Sequence, residues 1–183
     1  MTTSAPTTNK ALLDYVERCT KLCKPDRVQW CDGSQAEYDR LMKEMCGTGI
    51  MSELDQGKWP GCYYHRSDSG DVARVEHLTF ICSQNKDDAG PNNNWKDPKE
   101  AKTELTAWFD GCMKGRTMYV IPYCMGPVKS PYSKVGIEIT DSPYVTVNMR
   151  IMTRMGKQAL EKLGDGKDFV MGLHSTGELN PDK

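Results

Sequence analysis

Arg74 and Glu76 stand two residues apart in the segment Asp71–Glu76 (DVARVE), where a run rich in β-branched residues extends from Val72 to Cys82. That run reads as a strand entered from a Ser/Asp/Gly turn at Ser67–Asp71. Strand alternation then places Arg74 and Glu76 on one face. A guanidinium offers planar paired donors that match a carboxylate, so Arg74 is the candidate for holding an anionic group. Glu76 would orient Arg74, meet a moving lid elsewhere, or simply be solvated. The ordinary alternative for Arg74 is a structural ion pair with Glu76 or Glu53.

Other candidate sites read as structure. Gly115-Arg116-Thr117 leads into an apolar run, and Lys129-Ser130 lies in a loop with two nearby prolines. Gly164-Asp165-Gly166 lacks the third glycine of a dinucleotide fingerprint and reads as a turn. His65, His77 and His174 are scattered and no Cys-x-x-Cys occurs, so metal-ligand spacing is absent from the sequence. A phosphate loop needs Gly-Lys followed by Ser or Thr, to cradle phosphates on backbone N–H groups. Here Gly57-Lys58 is followed by Trp59, Gly156-Lys157 by Gln158 and Gly166-Lys167 by Asp168. No Cys–His or Ser–His pairing stands out, and catalytic, cofactor-binding and metal-binding residues are read as none in this chain, with a zinc site assembled in space left open.

Composition narrows the class. A formal net charge of -1, from 24 basic and 25 acidic residues, gives no long-range pull on polyanions, and no dense Lys/Arg run exists. Neither nucleic acid nor a membrane is expected as a partner. No apolar run reaches the roughly 18 residues that cross a bilayer. The eight cysteines have no signal sequence before them, and the chain is long enough for a core without staples, so reduced thiols are expected.

The elements alternate. A helix is expected over 10–23, with Asn9 as cap, Leu12, Val16, Cys19 and Cys23 on one face, and Pro25 beyond its end. A short strand at 27–31 follows. Ser34-x-x-Glu37 forms a capping box for a second helix with Leu41, Met42 and Met45 inward and Gly47 as its left-handed stop. Residues 59–64 read as a strand and 85–94 as a loop. Asp97-Pro98 opens a third helix, with Glu100 completing its box and Leu105, Trp108 and Phe109 as its buried side. Strands at 117–121 and 135–140 flank a loop. Ser142-Pro143 begins a fourth helix, lined by Val145, Met149 and Met152 and broken by Gly156; a short helix at 157–163 and a strand at 169–173 end the pattern. The fold class is α/β, a mixed β-sheet with packed helices. Residues 1–8 are expected to be a flexible tail and 9–183 one domain, truncated at its end.

Four strings carry a family resemblance: DVARVE (Asp71–Glu76), GCMKGRTMYVIPYCMGP (Gly111–Pro127), SKVGIEITDSPYVTVNMRIMTRMG (Ser133–Gly156) and LGDGKDFVMGLHS (Leu163–Ser175). The chain resembles the N-terminal domain of GTP-dependent phosphoenolpyruvate carboxykinases from about Leu12 to Ser175. The resemblance implies conversion of oxaloacetate and GTP to phosphoenolpyruvate, carbon dioxide and GDP, a cytoplasmic step of gluconeogenesis. It assigns Arg74 to the substrate carboxylate. It also implies that the manganese (or magnesium) ligands, the phosphate loop and the guanine-stacking aromatics lie in a C-terminal domain missing from this chain, which would be inactive alone. Two other readings stand beside it: a stand-alone module binding a dicarboxylate or another subunit, and one chain of a split carboxykinase.

Overall fold

A computed structural model describes residues 4–67 and 75–177. They gather in two compact units, one holding residues up to Arg66 and from Gly111 onward, the other the residues between.

The first unit is built on β6 (Thr117–Met125) and β7 (Lys134–Thr140), an antiparallel pair in register from Tyr119↔Thr140 to Met125↔Lys134. Strand β1 (Arg27–Trp30) adds in parallel to β6, and β9 (Val170–Leu173) in parallel to β7, giving the order β1-β6-β7-β9. The two-residue β8 (Arg154–Met155) pairs antiparallel with Tyr123 and Cys124 of β6. Met118, Tyr119, Val120 and Ile121 are all buried, as consecutive residues can be only when both faces of a strand are covered.

Local chemistry explains the helices. In α1 (Lys10–Cys23) the Asn9 side chain accepts from Leu12 N–H, and Leu12, Tyr15, Val16, Cys19 and Cys23 are buried. In α2 (Gln35–Gly47) the Ser34 hydroxyl accepts from Glu37 N–H. The Glu37 carboxylate reaches past the cap to the Asp32 and Gly33 N–H groups, beyond the Ser34 N–H of a strict capping box, which is held by Asp32. Leu41, Met42 and Met45 join Tyr119, Ile121 and Val147 in one core cluster. Gly47 is not the left-handed stop; it remains in the helix, and the positive φ falls at Gly49. Helix α4 (Pro143–Met152) is capped by Ser142, and α5 (Lys157–Leu163) buries Ala159 and Leu163.

The expected inward stripe of α4 holds at Met149, which packs half-buried against the core cluster, and is otherwise corrected. Thr146 and Val147 are the buried residues, whereas Met152 is 63% exposed. Thr146 can be buried because its hydroxyl donates to the Ser142 carbonyl. Residues 59–64 form a strand only at β3 (Tyr63–Tyr64), which pairs with β2 (Ser52–Glu53); Trp59 lies in a turn closed by its N–H on the Asp55 carbonyl.

The second unit departs further from expectation. Of the strand expected over 72–82, residues 72–74 lie outside the described residues. Glu76–Leu78 forms a 3₁₀ turn, and only β4 (Phe80–Ile81) is extended, paired in parallel with β5 (Asn94–Trp95). Side-chain hydrogen bonds favour the turn: Thr79 Oγ1 donates to the Val75 carbonyl, and the Asn94 amide donates to the Glu76 and Thr79 carbonyls. The loop expected at 85–94 contains a second 3₁₀ turn, Lys86–Ala89. Asp97 caps α3 (Pro98–Phe109) with Pro98 in its first turn. Leu105, Trp108 and Phe109 are not its buried side. Ala101 is the buried residue, and Trp108 is 67% exposed. Among the described residues of this unit, the short turns and two-residue strands present no broad apolar layer to receive that face.

Two glycines allow β8 and the start of α5 to approach the turn before α2 closely. A Cβ on Gly33 (φ +71°) would come within 2.8 Å of Met155 Cβ, and one on Gly156 (φ +77°) would run into the Asp32 carbonyl. Gly156→Ala is therefore expected to destabilise the first unit by about 1–3 kcal/mol for the overpacking, in addition to its left-handed backbone. Gly49→Ala, also left-handed but facing open space, meets only the backbone cost. Urea unfolding of the two variants, followed by circular dichroism, separates these contributions.

Candidate functional site

Arg74, the residue singled out for anion binding, lies outside the described residues. Glu76 is described. It opens the 3₁₀ turn with its side chain exposed, so strand alternation does not extend to it. Glu53, the alternative partner, is exposed in β2.

Arg116 and Lys162, at or beside the other stretches considered for anions, are committed to structure. Arg116 Nη1 lies 2.6 Å from Asp141 Oδ2 and 2.8 Å from Thr176 Oγ1, and Nη2 donates to the Gly177 carbonyl at 2.5 Å. The Asp141 side chain is fully buried and also accepts from Ser175 Oγ and Thr176 N–H. In the 126–131 loop, Val128 and Ser130 present carbonyls to Lys162 Nζ at 2.8 and 3.0 Å, an arrangement that favours a cation over an anion. The carbonyls of Gly164 and Gly166 accept from the Asn9 amide, which ties that turn to the start of α1.

The structure brings together a group that no sequence motif announced. Strands β7 and β9 run parallel, so their C-terminal ends deliver Thr140, Asp141, His174 and Ser175 to one edge of the sheet, beside Arg116 before β6. Ser142 N–H donates to Thr140 Oγ1. Thr140 Oγ1 also shares a hydrogen bond with His174 Nδ1 at 2.8 Å, whose direction follows the tautomer of the ring. Only the spacing Asp-Ser-Pro followed far along by His-Ser hinted at this network, and nothing local links the two.

Glu138 was also missed. It sits opposite Ile121 and Gly172, and its carboxylate occupies the space a side chain at position 172 would fill. Tyr15 O–H donates to the Gly172 carbonyl beside it. Burial raises the Glu138 carboxyl above the usual glutamate range.

Burial pushes the Cys19, Cys23 and Cys31 thiols up, which makes them poor nucleophiles, while Cys62 and Cys82 are exposed. Among the described residues no group of three or more His, Cys, Asp or Glu could hold a metal ion. No Gly-Lys pair in the sequence continues into a phosphate loop. No helix among the described residues is long and apolar enough to cross a membrane.

These observations define an α/β domain whose chemistry-bearing side chains at the sheet edge are tied to one another. Residues 14–183 match the family model described as the phosphoenolpyruvate carboxykinase N-terminal domain. The chain is 61% identical to phosphoenolpyruvate carboxykinase [GTP] of Anaeromyxobacter sp. (strain K) over 97% of its own length and 30% of the relative's. It is 54% identical to the enzyme of that name from Corynebacterium kroppenstedtii, over 95% of this chain and 28% of the relative. The corresponding figures for Chlamydia muridarum are 51%, 93% and 28%. The chain belongs to the phosphoenolpyruvate carboxykinase N-terminal domain family, and it spans less than a third of the length of these curated relatives.

Two outcomes follow for the buried acids. Asp141→Ala strands the Arg116 guanidinium, 24% exposed, without its carboxylate, and is expected to cost about 3–5 kcal/mol in urea unfolding. For Glu138 the raised folded value means that the folded state holds its proton more tightly than the unfolded state. Its contribution is complete below the unfolded glutamate range and is lost as pH rises through the folded value. Glu138→Gln, which stays neutral, should gain stability relative to wild type on going from acid to neutral pH; an equal pH slope in both proteins would remove Glu138 as the cause.

Proposed function

We propose that this chain is the N-terminal, substrate-binding portion of a GTP-dependent phosphoenolpyruvate carboxykinase. The reaction is the cytoplasmic conversion of oxaloacetate and GTP to phosphoenolpyruvate, carbon dioxide and GDP in gluconeogenesis. The observation that carries the reading is 61% identity along 97% of the chain to a relative bearing that name. Arg74 supplies the chain's direct contribution, a charge-assisted pair of hydrogen bonds to a substrate carboxylate, with Glu76 supporting it. Holding the dicarboxylate at a fixed cation orients the carbon skeleton before reaction. GTP and the Mn2+ or Mg2+ ion that neutralises its phosphates are held by residues outside this chain, so the chain alone is inactive.

The test joins residues 1–183 in frame to the part of the Anaeromyxobacter sp. (strain K) relative that follows the matched region. The fusion is expected to form phosphoenolpyruvate from oxaloacetate and GTP, and the 183-residue chain to form none. A folded fusion without activity would overturn the reading. In the active fusion, Arg74→Ala should lower kcat/KM for oxaloacetate by about 10–150-fold, the equivalent of about 1.5–3 kcal/mol for a hydrogen bond to a charged group. Unchanged oxaloacetate kinetics would remove Arg74 from the site.

A further inference from the structure

Helix α4 lacks a solvated face. Its core side carries Thr146 and Val147, yet the positions turned away from the core include Tyr144, Ile151 and Met152, which are 37%, 71% and 63% exposed. Its polar residues do not offset this. Arg150 is drawn aside to the Gly33 carbonyl and the Gln35 side chain, and the Asn148 amide bonds back to the Tyr144 carbonyl of its own helix. A helix apolar on nearly all sides is the pattern of an element enclosed in a larger body.

The exposed face borders a cleft of about 400 Å³ between α4, α2 and β3. Its wall is held in place: His65 Nδ1 lies 2.7 Å from the Ile50 carbonyl, and the His65 ring stacks on Tyr144 with centroids 4.3 Å apart. Tyr64, 53% exposed, lines the same cleft, with Ile151 beside it. A cleft rich in tyrosine and rimmed by Ile and Met has the composition of an interface centre rather than of a solvated surface.

We propose that this cleft and the outer face of α4 are the seat of an apolar segment from the remaining length of the carboxykinase polypeptide. The occupant is argued from length, since the matched relatives carry more than two thirds of their chain outside the region this protein covers. The proposal rests on the carboxykinase reading, and an apolar segment of that same polypeptide is the partner present wherever the domain is made. Tyr64, Tyr144 and Ile151 give it walls to pack against in the cleft, and the exposed Met152 extends the seat along the outer face of α4.

Hydroxyl-radical footprinting of Met152 tests this on the 183-residue chain and on the fusion described above. Met152 oxidation is expected to be fast in the chain alone and severalfold slower in the fusion. Ile151→Glu should restore fast Met152 oxidation in the fusion and leave the circular dichroism of the 183-residue chain unchanged. Equal oxidation of Met152 in chain and fusion overturns the proposal. So does protection in the chain alone that disappears on dilution, which would assign the face to a second copy. The two readings fail separately: a fusion with Met152 protected but no phosphoenolpyruvate formation sinks the activity alone, whereas an active fusion with Met152 freely oxidised sinks the docking seat alone.

Discussion

The seven-pair antiparallel ladder between β6 and β7 is the constraint on which the first unit depends. It is the longest strand pairing, and it sits in the middle of the sheet, so every other strand takes its direction from one of these two. Because β6 and β7 run oppositely, the parallel additions of β1 and β9 also run oppositely to one another. The C-terminal ends of β7 and β9 therefore meet the N-terminal start of β6. That meeting carries Asp141 to Arg116 across 25 residues of chain, and the buried carboxylate is satisfied only because three separate segments arrive together. Slipping the β6–β7 register by one residue would send Thr140 to the opposite face and break this network with it.

What the sequence made legible was mostly local. The caps at Asn9, Ser34, Asp97 and Ser142 were readable because a cap needs one side chain and the N–H groups two or three residues on. The buried side of α1 was readable because its apolar spacing is continuous. Mixed pairing in the sheet was expected only as a class, since strand order depends on which segments meet and no residue in β1 or β9 names its neighbour. Within the strand expected over 72–82, residues 76–78 turn instead because Thr79 and Asn94 hold backbone carbonyls, a preference that β-branched composition does not reveal. Leu105 and Trp108 misled for a different reason: spacing identifies an apolar face but not what covers it. For the site, resemblance alone singled out Arg74, from a pattern that by itself reads more readily as an ion pair, and Arg74 lies outside the described residues.

Electrostatics and packing divide the two faces of the chain's chemistry. Arg116, Lys162 and Arg150 each spend their donors on backbone carbonyls or a buried acid, fixing loops that would otherwise connect strands loosely. Lys96 does the same in the second unit, pairing with Glu104 and lying over the Phe80 ring. That unit has few buried side chains, Ala89 and Ala101 among them, so its internal order leans on such polar ties and caps rather than on a core.

The distribution of sulfur turns this protein into its own reporter. Cys62 lies exposed in the first unit and Cys82 exposed in the second, whereas Cys19, Cys23, Cys31 and Cys124 are buried in the first. A brief pulse of a maleimide would tag Cys62 and Cys82 at once, marking each unit with a different peptide mass. The half-buried Cys46 and Cys112 follow, and the four buried thiols become labelled only as their surroundings open. The order in which tags accumulate during gentle denaturation thus follows the loosening of the β6–β7 core directly, with no cysteine introduced or removed.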